Sequence, residues 1–128
     1  MRQTLSAEGI DLVSLIAPTT PDQRAKEIVA TSSGFLYYVS LKGTTGSSAI
    51  AIEEVMERTS FLQTLTRVPI CVGFGIKDAE SAAAASTHAD GVVVGSALVQ
   101  LMSESPTPTT AAERLETATA EIRNGLDG

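Results

Sequence analysis

The chain has 128 residues, of which 43% are hydrophobic, 19% charged and 4% aromatic, and a formal net charge of −6. This is the composition of a globular domain with room for one core, not of a disordered segment. Acidity without any Lys/Arg cluster excludes nucleic acid and anionic membrane surfaces as partners.

A single cysteine, Cys71, and a single histidine, His88, leave no intramolecular disulfide and no metal-ligand spacing. No apolar run approaches the ~20 residues a membrane-spanning helix needs, so a cytoplasmic protein is expected.

Residues 2–8 are expected to form the tail of a helix that Gly9 ends. Residues 12–17 form the first short apolar run, followed by runs at 35–41, 69–76 and 91–94. Their near-continuous hydrophobicity predicts parallel strands covered on both faces. Between the first two runs, Thr20-Pro21-Asp22-Gln23 has the form of a capping box with Pro at the first helical position. Ala25, Ile28 and Val29 supply the inward stripe, and Gly34 stands where a helix C-cap belongs. A second helix is predicted over 50–65, with Val55, Leu62 and Leu65 facing the sheet. A third begins at Asp78 and runs through the alanine-rich 81–86. A short helix is expected over 97–102, then a loop over 103–109. The last helix carries a second capping-box pattern, Thr110-Ala111-Ala112-Glu113, and a stripe of Ala111, Leu115, Ala118 and Ile122.

Repeated β-α units mean a parallel sheet with right-handed crossovers. Two architectures compete: an open doubly wound sheet and part of a (β/α)₈ barrel. A complete barrel takes about 250 residues, so four units in 128 residues amount to half of one. The leading helix, with no strand before it, favours a partial barrel occupying residues 1–128.

Glycines and hydroxyl residues gather where the strands end. Lys42-Gly43-Thr44-Thr45-Gly46-Ser47-Ser48 follows the second strand, Gly73-Phe74-Gly75 ends the third, and Gly95-Ser96 follows the fourth and opens a helix. Barrels carry their active sites on this face. Glycines admit an anion close to backbone N–H groups, and a helix N-terminus adds free donors and a positive dipole end. The pattern predicts a small phosphorylated ligand held without basic side chains.

Four segments carry a resemblance. Gly9-Ile10-Asp11-Leu12-Val13-Ser14-Leu15-Ile16-Ala17-Pro18-Thr19-Thr20-Pro21 resembles the fifth strand of the tryptophan synthase alpha chain family and the loop after it. Gly34-Phe35-Leu36-Tyr37-Tyr38-Val39-Ser40 with Gly43-Thr44-Thr45-Gly46 resembles its sixth strand and mobile loop. Gly73-Phe74-Gly75-Ile76 and Asp90-Gly91-Val92-Val93-Val94-Gly95-Ser96-Ala97-Leu98-Val99 resemble its seventh and eighth strand ends.

The resemblance implies the C-terminal half, strands five to eight, of a barrel lyase of tryptophan biosynthesis. The family cleaves indole-3-glycerol phosphate to indole and glyceraldehyde 3-phosphate, with no cofactor of its own, and passes indole to a beta chain in an alpha2-beta2 heterotetramer. By resemblance Gly46, Gly75, Gly95 and Ser96 hold the substrate phosphate, Tyr37 lies beside the indole-glycerol moiety, and Thr45 closes the loop on a catalytic aspartate.

The family's two catalytic carboxylates come from the other half, so no catalytic residue is expected in this chain. Glu53, Glu54, Asp78 and Asp90 are expected to be solvated or capping residues, and His88 a surface residue. Thr44 stands where the family usually has Val. Tyr37 and Tyr38 must point to opposite faces, so at most one meets ligand. The alternative function is a non-catalytic, phosphate-binding half-barrel that self-associates.

Overall fold

In a computed structural model, residues 2–40, 48–73 and 75–128 are described. Helix α1 spans Arg2–Ala7, strand β1 Ser14–Ile16, α2 Asp22–Val29, β2 Leu36–Val39 and α3 Ser48–Leu65. Then come β3 (Ile70–Gly73), α4 (Ala79–Ser86), β4 (Gly91–Val93), α5 (Ser96–Ser103) and α6 (Pro108–Asp127). The strands form one sheet in the order β1-β2-β3-β4, every pairing parallel. The register aligns Leu15 with Tyr37, Tyr37 with Cys71, and Cys71 with Gly91. This is an α/β architecture of four consecutive parallel strands, consistent with half of a barrel.

One expectation fails in an informative way. The apolar runs predict strands covered on both faces, but the helices cover only one. Ser14, Ile16, Leu36, Tyr38, Ile70 and Val72 are buried beneath them. Val55 and Leu62 of α3, Ala25 and Val29 of α2, and Ala82 and Ala85 of α4 complete that core. On the other face Leu15 is 59% exposed, and Tyr37, Val39, Cys71 and Val93 are half-buried. The strands are hydrophobic on both sides because both sides suit burial, yet no described residue of this chain covers the second.

Helix ends account for the remaining differences. α1 closes as predicted: Gly9 takes φ +69, its N–H bonds the Ser6 carbonyl, and the Ile10 N–H bonds that of Leu5. That pair of bonds is a Schellman closure, and its left-handed residue suits glycine.

At α2 the expected capping box is absent. Pro21 is the N-cap, with no side-chain cap, because Thr20 Oγ1 instead accepts from the Ala17 N–H at 3.1 Å. Nor is Gly34 the C-cap of α2, which ends at Val29 with Ala30 as its C-cap. Thr31 Oγ1 and Ser32 Oγ donate to the last-turn carbonyls of Glu27 and Ile28 and finish the helix early. Gly34, at φ +70, turns the chain into β2 instead.

α6 starts three residues before the predicted box. Thr107 is the N-cap, accepting from the Thr110 N–H, with Pro108 at the first position. A residue preceding proline is held extended, as an N-cap requires. The expected 103–109 loop therefore shrinks to 104–107. The α6 stripe is as predicted, with Ile122 buried and Ala111, Leu115 and Ala118 half-buried. Gly125 lets α6 close onto α4, since a Cβ there would stand 2.7 Å from the Ala79 carbonyl oxygen.

Candidate functional site

A parallel sheet brings all its strand C-termini to one edge, and the candidate site lies there. β3 and β4 pair last at Gly73 and Val93. Gly75 and Gly95 each follow two residues later, so they leave adjacent strands at the same level. Gly75 is exposed and takes φ +76, which glycine adopts without strain. Gly95 is the N-cap of α5, and nothing lies within 4 Å of where its Cβ would stand. Gly95 and Ser96 are both exposed.

The N-terminus of α5 differs from those of α4 and α6. α4 is closed by a reciprocal box, in which Asp78 accepts from the Ser81 N–H at 2.9 Å and Ser81 Oγ accepts from the Asp78 N–H. The Ser81 hydroxyl donates to Asp78 Oδ1, and this bond, with that from the Ser81 N–H, holds the Asp78 carboxyl below its ordinary pKa. α6 is closed by Thr107. α5 has no side-chain cap and no acid in its first turn. Its first N–H groups have no acceptor within the helix, and the dipole there favours an anion.

Tyr37 projects from the open face of β2. Its ring lies against Gly73 of the neighbouring strand: a Cβ at Gly73 would come 2.3 Å from Cε2 and 2.4 Å from Oη of Tyr37. Gly73 is thus the seat of the ring, a role sequence reasoning missed. An isolated glycine at a strand end is the only signal of such close approach. Of the predicted site residues, the structure places Gly75, Gly95 and Ser96 at the C-terminal edge of the sheet, while Tyr37 stands level with Cys71 and Gly91, its ring reaching up to Gly73. Thr45 and Gly46 lie outside the described residues, as do Lys42, Thr44 and Phe74.

Tyr38 points the other way and is fully buried. A crevice of about 300 Å³, lined by Pro18, Asp22, Tyr38, Glu54, Glu57, Arg58 and Phe61, opens on this helix-covered side. Three carboxylates in its wall repel a phosphate. Arg58 braces the wall: its guanidinium bonds Asp22 Oδ1 at 2.5 Å and the Thr20 carbonyl at 2.7 Å and lies 4.9 Å over the Phe61 ring. This brace was also missed. It joins residues 36 apart along the chain, which no local pattern announces.

The acidic residues keep structural roles. Asp78 is a cap, and Asp90 Oδ2 accepts from the Ile70 N–H at 2.8 Å, satisfying the start of β3. Cys71 is half-buried, its thiol pKa pushed up by burial and by Asp90. Among the described residues no cluster of His, Cys, Asp and Glu suits a metal, and no helix is long and apolar enough to cross a membrane.

Four consecutive parallel strands alternating with helices define the class, an α/β fold consistent with half of a barrel. The family model for the tryptophan synthase alpha chain matches residues 1–127, and the chain belongs to that family. It is 47% identical over 126 residues to the tryptophan synthase alpha chain of Chromobacterium violaceum, covering 98% of this chain and 48% of that one. Against that of Xylella fastidiosa it is 42% identical over 127 residues, covering 99% and 47%. Among solved structures, the tryptophan synthase A-subunit of Pyrococcus furiosus superposes with a TM-score of 0.79 at 35% identity, over 96% of this chain and 49% of that chain. The alpha chain from Legionella pneumophila gives 0.80 at 28% identity, over 98% and 46%. The chain therefore spans about half the length of the curated relatives it matches.

Proposed function

We propose that this chain is the phosphate-holding, C-terminal half of a barrel lyase that cleaves indole-3-glycerol phosphate to indole and glyceraldehyde 3-phosphate. β1 to β4 are the fifth to eighth strands of that barrel, and residues 1–128 form one partial-barrel unit. The observation that carries the reading is the bare α5 N-terminus at Gly95-Ser96, level with Gly75 on the adjacent strand. Backbone N–H groups there hold the phosphate, with Gly46 contributing from its loop. Tyr37, seated on Gly73, flanks the indole-glycerol moiety, and Thr45 closes the loop.

Retro-aldol cleavage needs a proton donor at the indole ring and a base at the glycerol hydroxyl. The complementary half supplies both as carboxylates. The chemistry needs no cofactor of this chain's own, indole passes to a beta chain in an alpha2-beta2 assembly, and the enzyme works in the cytoplasm.

The test reconstitutes this chain with the complementary N-terminal half of a related alpha chain and measures glycerol-phosphate and indole-propanol-phosphate affinity by calorimetry. Gly95→Val should abolish binding while leaving the fold intact, since the space it fills is open in the protein. Ser96→Ala should cost about 1.5–3 kcal/mol, the worth of one hydrogen bond to a charged group, and Lys42→Ala least. An order with Lys42→Ala most damaging would mean that side-chain charge holds the phosphate. Without its complement the chain should release no indole, and robust release would overturn the assignment of acid and base to the other half.

A further inference from the structure

On the helix-covered side, the loop after β1, strand β2 and helix α3 enclose the crevice of about 300 Å³, the lower end of the size range of small-molecule sites. Its walls are consecutive elements of this chain, so it does not depend on what covers the open face or the edge strands. Glu54, Glu57, Arg58 and Phe61 line it from α3, at the i, i+3, i+4, i+7 spacing of one helical face. Pro18 adds apolar surface from the loop, and Tyr38 lines the crevice from the sheet. Tyr38 is 0% exposed, yet its Oη has no hydrogen-bond partner among the described residues, and neither has the buried Nε of Arg58. The other two nitrogens of Arg58 are engaged by Asp22 and the Thr20 carbonyl, which hold the guanidinium in place.

Buried polar groups are nearly always paired, so two unpaired ones in the wall of one crevice point to a bound partner. Both can donate, so the partner offers an oxygen acceptor. A water would occupy only about 10–15 Å³ of the space, which leaves room for an organic molecule. The charge around the two donors is negative, with Asp22, Glu54 and Glu57 set against Arg58 alone. Burial and the Glu54 charge push the Tyr38 hydroxyl pKa up to about 12 while the Arg58 charge opposes them, so both charges act on that hydroxyl. Asp22 is already paired with Arg58, and Glu57 is exposed. We propose that the crevice binds a small hydroxylated amine, its hydroxyl oxygen accepting from Tyr38 Oη and Arg58 Nε, its ammonium paired with Glu57 and its apolar body against Pro18 and Phe61. A bare amine would leave both donors unpaired, a neutral alcohol would leave the negative wall uncompensated, and an anion would be repelled. The inference rests on this crevice and not on the phosphate chemistry above, so either can fail alone.

The probe is phenylethanolamine, titrated by calorimetry into the full chain with and without the complementary half of a related alpha chain. It should bind saturably, one molecule per chain, and more weakly as salt rises, because its ion pair is exposed. Phenethylamine, which lacks the hydroxyl, and phenylethanol, which lacks the charge, should each bind about two- to tenfold more weakly, the range for one hydrogen bond or one exposed ion pair. Tyr38→Phe should weaken phenylethanolamine by about two- to tenfold without lowering the urea midpoint, and should leave phenethylamine unaffected, since only the contact to the ligand hydroxyl is lost. Glu57→Gln, at an exposed position, should weaken phenylethanolamine by about two- to fivefold and remove most of the salt dependence. No saturable binding, phenylethanol held as tightly as phenylethanolamine, displacement of the probe by glycerol phosphate, or full affinity for phenylethanolamine in Tyr38→Phe would each overturn the proposal.

Discussion

Tyr37 and Tyr38 are consecutive residues of β2, of one type, yet Tyr38 is fully buried among helices while Tyr37 stands on the open side of the sheet. The same contrast separates Ile16, 1% exposed, from Leu15, 59% exposed, on β1. The covered face holds this chain together. The open face, equally apolar, contributes little to the fold of the described residues. Hydrophobicity in a parallel strand thus reports that a face is built for burial, not which polypeptide buries it.

Substitution of paired residues gives the largest expected effect. Ile16→Ala should cost about 2–5 kcal/mol by urea denaturation, the range for truncating a buried aliphatic side chain. Leu15→Ala should stay within about 0.5 kcal/mol, as surface changes do. Equal costs for the two substitutions would erase the distinction between the faces.

The second effect sharpens the comparison at the C-terminal end of the open face. Gly73→Ala forces the Tyr37 ring off its seat, since the new methyl would overlap Cε2. The ring can swing into open space, so the cost should be modest and should vanish in a Tyr37→Ala background. There the alanine removes a strand glycine and becomes neutral or stabilising. A double-mutant cycle should give a coupling of about 0.5–3 kcal/mol, the range for residues in contact. Additive effects would mean that the ring does not rest on Gly73.

Much of this was legible in the residues themselves. Strand positions follow from short apolar runs, and the α6 stripe of Ala111, Leu115, Ala118 and Ile122 from helical spacing, because burial imposes those periods locally. The α5 N-terminus was legible because Gly95-Ser96 interrupts an apolar strand. Helix starts at α2 and α6 were not, since Thr20 and Thr110 both fit a capping pattern while the backbone uses Pro21 and Thr107. A three-residue ambiguity is inherent where several hydroxyl residues flank a proline. The Arg58 brace and the seat at Gly73 were illegible for another reason: each joins separate elements, and only register and helix packing bring them together.

The smallest effect tests the covered face. Tyr38 Oη is buried with no hydrogen-bond partner among the described residues, and its pKa is pushed up to about 12. Burial is the main cause, the Glu54 charge adds to it, and the Arg58 charge opposes it. Tyr38→Phe keeps the ring and removes an unsatisfied hydroxyl, so at neutral pH stability should be unchanged or up to about 1 kcal/mol higher. The sign reverses nothing in alkali but adds a second readout. Between pH 10 and about 12 the unfolded chain loses this proton and the folded chain keeps it. The contribution is therefore complete below pH 10 and lost as pH rises through the folded value, giving wild type an alkaline fall in stability that Tyr38→Phe lacks. The other titrating groups are common to both proteins, so the difference between their urea midpoints against pH isolates Tyr38. A Tyr38→Phe protein clearly weaker than wild type at pH 7, or one with the same alkaline fall, would show that the hydroxyl is satisfied and that the covered face is polar where it is taken to be dry.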